Sequence, residues 1–247
     1  LAANRERDAL EAEAIEATAL RRSDELKTAL LRSVSHDLRS PLTAIVAAGE
    51  TVGSPTVSDD DRAALAETIT IEGRRLSRVV ENLLDLSRLE AGAAEPHRDW
   101  SSIEEIAGAA AEQASDPGSY TISVDPSTPL IRADAAQLER ALFNVIENAV
   151  KHSDGQPISI RARPVNEQLI VRVVDRGPGI PERELERIFE PFHGDGGASA
   201  GVGLGLAIAR GFVEANGGQI WAEALPGQGT TIVIRLPLEE VPERMEG

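Results

Sequence analysis

The sequence predicts an all-α N-terminal region followed by an α/β domain, and three observations lead to this order. Residues 1–51 are rich in Ala, Glu, Leu and Arg and hold no proline before Pro41, which favours a helix. A second run with helical apolar spacing ends near Leu89. After Pro96, short β-branched runs alternate with helical patterns and glycine-rich loops.

The first helix is predicted to carry a single apolar stripe. Its members recur at steps of three and four: Leu31, Val34, Leu38, Leu42 and Ile45. Residues 1–22 precede the stripe and are predicted to form a coiled-coil lead-in helix. The helix is expected to end where Gly53, Ser54 and Pro55 interrupt the pattern.

A second helix is predicted from about Ser58 to about Leu89. Ser58 and Asp61 resemble a capping box in which Asp replaces the usual Glu, and Ala91 with Gly92 closes the run. The apolar residues again share one face: Leu65, Ile69, Leu76, Val79, Leu83 and Leu86. Two such helices form an antiparallel hairpin that cannot bury both stripes, so we predict a homodimeric four-helix bundle through residues 23–92.

The second domain is predicted to be of mixed α/β type. Strands are expected at residues 122–125, 158–163, 169–175, 219–224 and 230–236. Helical patterns cover residues 102–113, 134–152, 182–188 and 204–216, the last closed by Gly217 and Gly218. The predicted domains are therefore a lead-in helix over residues 1–22, a hairpin over residues 23–95 and an α/β domain over residues 96–247.

Composition limits the partners and the location. Lys and Arg total 25 against 41 Asp and Glu, and the formal net charge of −16 disfavours nucleic acid and direct contact with anionic membranes. The absence of cysteine excludes disulfides and thiolate metal sites. No apolar run is long enough to cross a bilayer, so we expect a cytoplasmic fragment of a longer protein that could itself be membrane-tethered.

His36 on the first helix is a candidate nucleophile. At about 100° per residue it lies about 200° from the apolar stripe, toward solvent. The adjacent carboxylate of Asp37 could hold the proton on one ring nitrogen and leave the other free to attack phosphorus. Pro41 is expected to bend the helix beside it. A solvated surface histidine with a chance neighbour remains the alternative for an isolated His-Asp pair.

The string Ser-His-Asp-Leu-Arg-Ser-Pro-Leu at residues 35–42 resembles the H box of histidine kinases. The resemblance implies that His36 accepts a phosphoryl group and that Asp37 assists. Asp37 stands where Glu is usual, and Ser40 stands where Thr or Asn is usual. In the family this pair orients a water for dephosphorylating the partner regulator, so the departures concern phosphatase activity.

A polar face on the helix over residues 134–152 is a candidate phosphate and metal site. Asn144, Asn148 and Lys151 lie together on it. Amide oxygens suit Mg²⁺ and an ammonium suits a phosphate, although a solvated polar face is the alternative. Residues 144–152, which end in His152, resemble the kinase N box, and this resemblance implies a nucleotide site with Asn144 and Asn148 at the metal.

Asp175 stands at the end of a predicted strand, before a glycine turn. Its carboxylate can accept a hydrogen bond from an adenine amino group, and Gly177 and Gly179 allow close approach of the backbone. With Ile180 they resemble the G1 box, in which Asn is usual where Arg176 stands here.

A second glycine-rich segment opens the helix at residues 204–216. Exposed amides at its start could receive phosphates. The segment resembles the G2 box: Gly201, Val202, Gly203, Leu204, Gly205 and Leu206.

Residues 188–192, which end in Phe192, match the F box, and residues 227–230, which end in Thr230, form a final glycine turn. The loop between the F and G2 boxes resembles an ATP lid, but it holds no Lys or Arg. Lys151 with Mg²⁺ would therefore have to neutralise most of the phosphate charge, and His193 would help if it is protonated.

The five boxes occur in family order between residues 35 and 206. The resemblance to sensor histidine kinases implies a phosphotransfer hairpin followed by an α/β-sandwich ATPase domain of the GHKL class. It further implies ATP and Mg²⁺ as cofactors, a homodimer, and a response regulator receiver domain as partner. Residues 40–45 and 82–89 are most similar to the potassium-sensor branch.

Two other functions are considered. A degenerate kinase could bind nucleotide and dimerise as a signalling scaffold without transferring phosphate, as Arg176 and the lack of Lys and Arg in the lid suggest. The second alternative is a GHKL ATPase or serine kinase that uses only the second domain. The intact H box argues against it.

Overall fold

The computed structural model describes residues 38–114, 119–193, 203–224 and 227–239. The chain divides into two compact units, Leu1–Val80 and Glu81–Gly247. The predicted class, helices followed by a mixed α/β domain, is confirmed. The predicted domain limits at residues 22 and 95 remain predictions.

The first unit contains helix α1, described over residues 38–52, and most of helix α2, which spans Asp59–Glu90. The Ser58 hydroxyl caps α2 by accepting the Asp61 amide at 3.2 Å. The Asp61 carboxylate accepts the same hydroxyl at 2.6 Å; its side chain is one methylene shorter than that of the usual Glu. Arg62 donates to the carbonyls of Val52 and Val57, which ties the start of α2 to the end of α1.

Four large apolar side chains of the first unit remain substantially exposed. Leu42, Val46, Ile71 and Val80 expose between 45% and 53% of their surface, whereas Val79 and Ala48 are buried. Exposed apolar surface on a helical hairpin is what the predicted four-helix bundle would cover.

The second unit is built on a five-stranded sheet in the order β2-β4-β5-β7-β6. Strand β2 runs parallel to β4, and the remaining neighbours are antiparallel. A separate antiparallel pair joins β1 to β3. The strands are β1 Asp99–Ser101, β2 Tyr120–Val124, β3 Ile131–Ala133, β4 Ile158–Val165, β5 Gln168–Val174, β6 Gln219–Ala224 and β7 Thr230–Pro237.

Three helices pack on one face of this sheet: α3 Ile103–Ala114, α4 Ala135–His152 and α5 Gly205–Ala215. Alternate residues of the central strands point into this layer and are buried, as the period of a β-strand requires. The core is formed by side chains such as Ile160, Val171 and Ile234 from the sheet and Val145 and Ile208 from the helices.

The predicted helix over residues 182–188 is wrong. The structure has two short 3₁₀ turns there, Glu182–Glu184 and Arg187–Phe189. Only Phe189 of these turns is buried, so no continuous apolar face supports an α-helix. The three-residue strands β1 and β3 were not predicted, since runs this short carry no readable alternation.

Arg140 on α4 joins the C-terminal end of α2 to the α/β layers of the second unit. Its guanidinium donates to Asp85 Oδ2 at 3.0 Å and to Asn82 Oδ1 at 3.0 Å, and it lies over the Phe143 ring at 5.4 Å. The side chains of Arg140 and Asp85 are only 18% and 16% exposed. This shielding makes the ion pair worth more than a surface pair.

Arg140→Met is expected to lower the free energy of unfolding by about 1–3 kcal/mol, because the half-buried Asp85 carboxylate loses its charged partner. Arg210→Met is the matched control, since Arg210 forms an exposed pair with Glu214 at 2.8 Å. The control should change stability by less than about 0.5 kcal/mol. Urea unfolding measures both variants, and equal losses would contradict the proposed importance of Arg140.

Candidate functional site

Asn144 occupies the buried centre of α4. It is 3% exposed, and its Nδ2 atom is buried without a hydrogen-bond partner within the described residues. A Cβ atom at Gly205 would lie 3.4 Å from Asn144 Oδ1, so the side chain sits against the first residue of α5. The sequence placed Asn144 on a polar face that could be solvated; the structure buries it between two helices instead.

The other N-box residues follow Asn144 along α4 toward its C-terminus. Asn148 and His152 are half-buried, and Lys151 is exposed. The buried amide thus lies deepest, and the ammonium lies outermost. One helix therefore carries polar groups that range from a buried amide to a solvent-exposed ammonium.

Asp175 is a buried carboxylate that joins two loops. It is 6% exposed, and its Oδ1 atom accepts the amides of Gly177 at 2.9 Å and Thr230 at 3.0 Å. Its own amide donates to the Thr230 carbonyl at 2.9 Å. Within the described residues Oδ2 accepts no hydrogen bond, so one oxygen orients the group and the other is available to a ligand.

The glycines of the two loops are required for close packing. A Cβ atom at Gly177 would lie 2.0 Å from the His152 carbonyl oxygen, and one at Gly229 would lie 2.2 Å from the Asp175 carbonyl oxygen. Gly179 and Gly229 also have positive φ angles of 76° and 88°. The loop containing Asp175 is therefore held between the end of α4 and the turn over residues 227–230.

The start of α5 is anchored by its flanking residues. Leu204 is 1% exposed and Leu206 is 9% exposed. Gly203 has a φ of 70°, and a Cβ atom there would lie 2.7 Å from the His193 carbonyl oxygen. The Phe192 amide donates to the Gly203 carbonyl at 2.9 Å, so the residues before and after the segment 194–202 are fixed together.

His193 is paired with a carboxylate. Its Nε2 atom lies 2.9 Å from Glu184 Oε2, and Glu184 also accepts from Arg187 at 3.2 Å. Glu184 was not singled out in the sequence, because residues 182–188 were read as a helix. The predicted help of His193 in neutralising phosphate would require this pair to open.

The structure brings together four distant segments of the second unit that carry predicted residues. These segments contain Asn144, Asn148, Lys151 and His152 on α4, then Asp175, Gly177, Gly179 and Ile180, then Phe192 with Gly203, Leu204, Gly205 and Leu206, and finally Thr230. His36, Asp37, Gly201 and Val202 lie outside the described residues. Ser40 is exposed on α1 of the first unit.

The donors at this site suit a nucleotide and a hard cation. The Nδ2 atom of Asn144 forms no hydrogen bond to another described residue. The oxygen of the same carboxamide is of a type that Mg²⁺ accepts as a ligand. Over the described ranges there is no cluster of three or more His, Asp or Glu side chains that could hold a metal. A cation would thus depend on amides and on oxygens of its ligand.

Two family models match the chain. The His Kinase A (phospho-acceptor) domain matches residues 26–92. The histidine kinase-, DNA gyrase B- and HSP90-like ATPase matches residues 133–240. The two matches follow one another along the chain in the order predicted from the motifs.

Curated relatives and a solved structure agree with these matches. Sensor protein KdpD of Mycobacterium tuberculosis is 40% identical over 239 residues, which cover 92% of this chain and 28% of that protein. Sensor protein KdpD of Escherichia coli K12 is 36% identical over 230 residues, 90% of this chain and 26% of that protein. The crystal structure of full-length ShkA with AMPPNP is similar at a TM-score of 0.64 and 26% identity, covering 89% of this chain and 47% of that one.

Gly177→Ala is expected to destabilise the second unit by about 1–3 kcal/mol, because the added methyl group overlaps the His152 carbonyl and must push the loop from α4. Gly108→Ala in α3 is the matched control, since its Cβ would meet nothing within 4 Å. That change should be neutral or stabilising by up to about 1 kcal/mol. Chemical denaturation decides the point, and an unaffected Gly177→Ala would show that the loop is not tightly held.

Proposed function

Because the chain belongs to the sensor histidine kinases, we propose that it is an ATP-dependent histidine autokinase. It phosphorylates its own His36 and transfers the phosphoryl group to an aspartate of a response regulator. The joint occurrence of the phospho-acceptor and ATPase family matches in one chain carries this proposal. The chain spans 28% and 26% of the two KdpD relatives, so the proposal concerns this catalytic part.

Asp175 is proposed to recognise the adenine base. Its Oδ1 atom is committed to two backbone amides, which leaves Oδ2 to accept a hydrogen bond from the exocyclic amino group. The carboxylate is an acceptor only, whereas guanine would present a carbonyl oxygen at the same place. The site should therefore bind adenine in preference to guanine, because the guanine carbonyl cannot donate a hydrogen bond to Asp175 Oδ2.

The polar residues of α4 are proposed to bind the triphosphate end. Asn144 and Asn148 would contribute amide oxygens to Mg²⁺, and Lys151 would neutralise phosphate charge at the exposed end of the helix. When bound, Mg²⁺ supplies charge neutralisation on the phosphate oxygens. The residues at the start of α5, from Gly203 to Leu206, would offer backbone amides to the phosphates.

His36 is proposed to accept the γ-phosphoryl group. One imidazole nitrogen forms a bond to phosphorus while the bond to the β-γ bridging oxygen breaks, and ADP leaves with that oxygen. Asp37 would hold the proton on the other nitrogen, which keeps the attacking nitrogen unprotonated. Positioning and charge neutralisation supply most of the catalysis in such a transfer.

Dimerisation through the hairpin is supported by the phospho-acceptor domain match and by the exposed apolar residues Leu42, Val46, Ile71 and Val80. The receiver domain of a response regulator is the proposed partner, and we propose no nucleic acid and no direct membrane contact. None of the described helices is long and apolar enough to cross a bilayer. A cytoplasmic location and the roles of Asp37 and Ser40 in dephosphorylation remain predictions.

His36→Gln is expected to abolish phosphoryl labelling, since a carboxamide has no nucleophilic ring nitrogen. The purified chain is incubated with γ-labelled ATP and Mg²⁺, and the label on the wild type should be acid-labile and base-stable. His97→Gln is the matched control, because His97 is exposed in the second unit and lies outside the proposed site. Persistent labelling of His36→Gln would contradict the acceptor assignment.

A dimeric nucleotide-binding scaffold is the second candidate function. It is favoured by the absence of Lys and Arg from residues 193–203 and by the pairing of His193 with Glu184. The labelling experiment separates the two functions: tight ATP binding with no label on the wild-type chain would support the scaffold.

Asp175→Asn is expected to weaken ATP binding about 10- to 100-fold. The amide oxygen can still accept from Gly177 and Thr230, which turns a donor NH₂ group toward the adenine amino group. The same donor suits the guanine carbonyl, so the ratio of ATP to GTP affinity should fall. Isothermal titration with both nucleotides measures this ratio.

Asp125→Asn is the control for that substitution. Asp125 also ends a strand and accepts the amide of the residue two positions on, Ser127, at 2.9 Å. It should leave both affinities within about twofold of wild type. An Asp175→Asn variant with unchanged nucleotide preference would show that Asp175 does not contact the base.

A further inference from the structure

The five-stranded sheet has a second face, opposite to α3, α4 and α5, which we call the open sheet face. The pairing register places its central residues side by side: Arg161 opposite Arg172, then Val233 and Trp221 on the following strands. The next row contains Arg163, Ile170 and Arg235. Directly paired residues on one face lie about 5 Å apart.

This face is cationic on a strongly acidic chain. Four arginines on β4, β5 and β7 face it, whereas its described carboxylates are Glu223 on β6 and Asp125, which follows β2 beside Arg163. The whole chain, by contrast, has a net charge of −16. Arg161 and Arg163 are exposed. The sign of the charge is therefore reversed locally across three neighbouring strands.

The pair Arg161 and Arg172 is unfavourable in the chain as described. Like charges directly opposite each other on antiparallel strands destabilise a sheet. The charge of Arg172 is compensated by an ion pair with Glu223. Among the described residues, Arg161 donates to the Ser159 hydroxyl at 3.1 Å and forms no ion pair. An anionic ligand placed over the two guanidinium groups would relieve this repulsion.

Arg163 interacts with one carboxylate that is itself hydrogen-bonded to another residue. This carboxylate belongs to Asp125, whose Oδ1 atom accepts the Ser127 hydroxyl at 2.7 Å and the Ser127 amide at 2.9 Å. These hydrogen bonds, with a smaller contribution from Arg163, hold the pKa of Asp125 below its usual value. The Asp125 carboxylate is thus hydrogen-bonded to Ser127, while Arg163 is exposed to solvent.

Apolar and aromatic groups lie beside the arginines. Arg235 lies over the Trp221 ring at 5.9 Å, and Val233 is buried on the same face. Trp and Arg are among the residues enriched at the energetic centres of protein interfaces. Guanidinium groups beside a half-buried Trp221 therefore form a surface of the type that binds a protein segment.

We propose that the open sheet face binds an acidic segment of a partner protein, with Arg161, Arg163 and Arg172 pairing its carboxylates. Guanidinium forks match carboxylates in a bidentate manner. An extended polyanion, such as a membrane surface or a nucleic acid, would also meet the other acidic surfaces of the chain and be repelled. A short acidic segment interacts only with charges within about 8 Å at physiological salt.

The test is a fluorescence anisotropy titration of the full chain with a labelled peptide of alternating glutamate and serine. A peptide with glutamine in place of glutamate is the neutral comparison. We expect saturable binding of the acidic peptide that weakens with salt, and no binding of the neutral one. Absence of binding by the wild-type chain would overturn the proposal.

Arg161→Glu should weaken the peptide about tenfold, whereas Arg183→Glu makes the same charge change at a side chain that is 84% exposed elsewhere in the unit and should change affinity less than about twofold. Arg161→Glu should also raise the melting temperature, because it places a carboxylate opposite Arg172. Loss of binding in a more stable protein would exclude misfolding as the cause.

Equal effects of Arg161→Glu and Arg183→Glu would overturn the proposal, because net charge alone would then govern binding. Vesicles containing phosphatidylserine and a single-stranded oligonucleotide are titrated in parallel. Tighter, Arg161-dependent binding of either one would replace the acidic protein segment as the ligand of this face.

Discussion

The close packing of α4 is the constraint on which the rest of the second unit depends. Residues 141–146 are all buried, so the helix is surrounded by α3, α5 and the sheet rather than lying on a surface. Asn144 is among these residues, and an unpaired buried polar group costs about 1–3 kcal/mol. A helix otherwise optimised for packing thus retains an unfavourable amide, and a bound polar ligand would offset that cost.

The same helix also organises its surroundings at its N-terminal end. The Asp134 carboxylate caps α4 through the Gln137 amide at 3.1 Å and accepts the His97 amide at 2.9 Å. Asn216 at the end of α5 accepts the Asp134 amide at 2.8 Å and donates to Gln137 at 2.9 Å. With the ion pair of Arg140 and Asp85, these bonds connect α4 to the end of α2, to the segment before β1 and to the end of α5.

This arrangement has a functional consequence for the proposed kinase. The helix that presents Asn144, Asn148 and Lys151 also holds the end of α2 through Arg140. If α4 shifted on nucleotide binding, Arg140 and the segment over residues 94–98 would move with it, since buried, closely packed helices move as units.

The order of elements and most of the site were readable from the sequence because they depend on local patterns. Apolar periodicity predicted α2, α4 and α5, and the strand ends at Val174 and Ala224 came within one residue of prediction. The ends of α2 followed from Ser58 and Gly92, whose capping chemistry is local. The turns over residues 182–189 could not be predicted, since their conformation is set by Phe189 burial and by the pairing of Glu184 with His193.

By itself, the sequence determined the family motifs, the helical and strand periods and the residue types available for nucleotide chemistry. Only the tertiary structure decided what each of those residues faces. In the folded chain Gly177 packs against the His152 carbonyl, Asn144 is buried beside Gly205, and Arg161 lies opposite Arg172. Contacts between residues distant in the chain depend on strand register and helix packing, which no local pattern encodes.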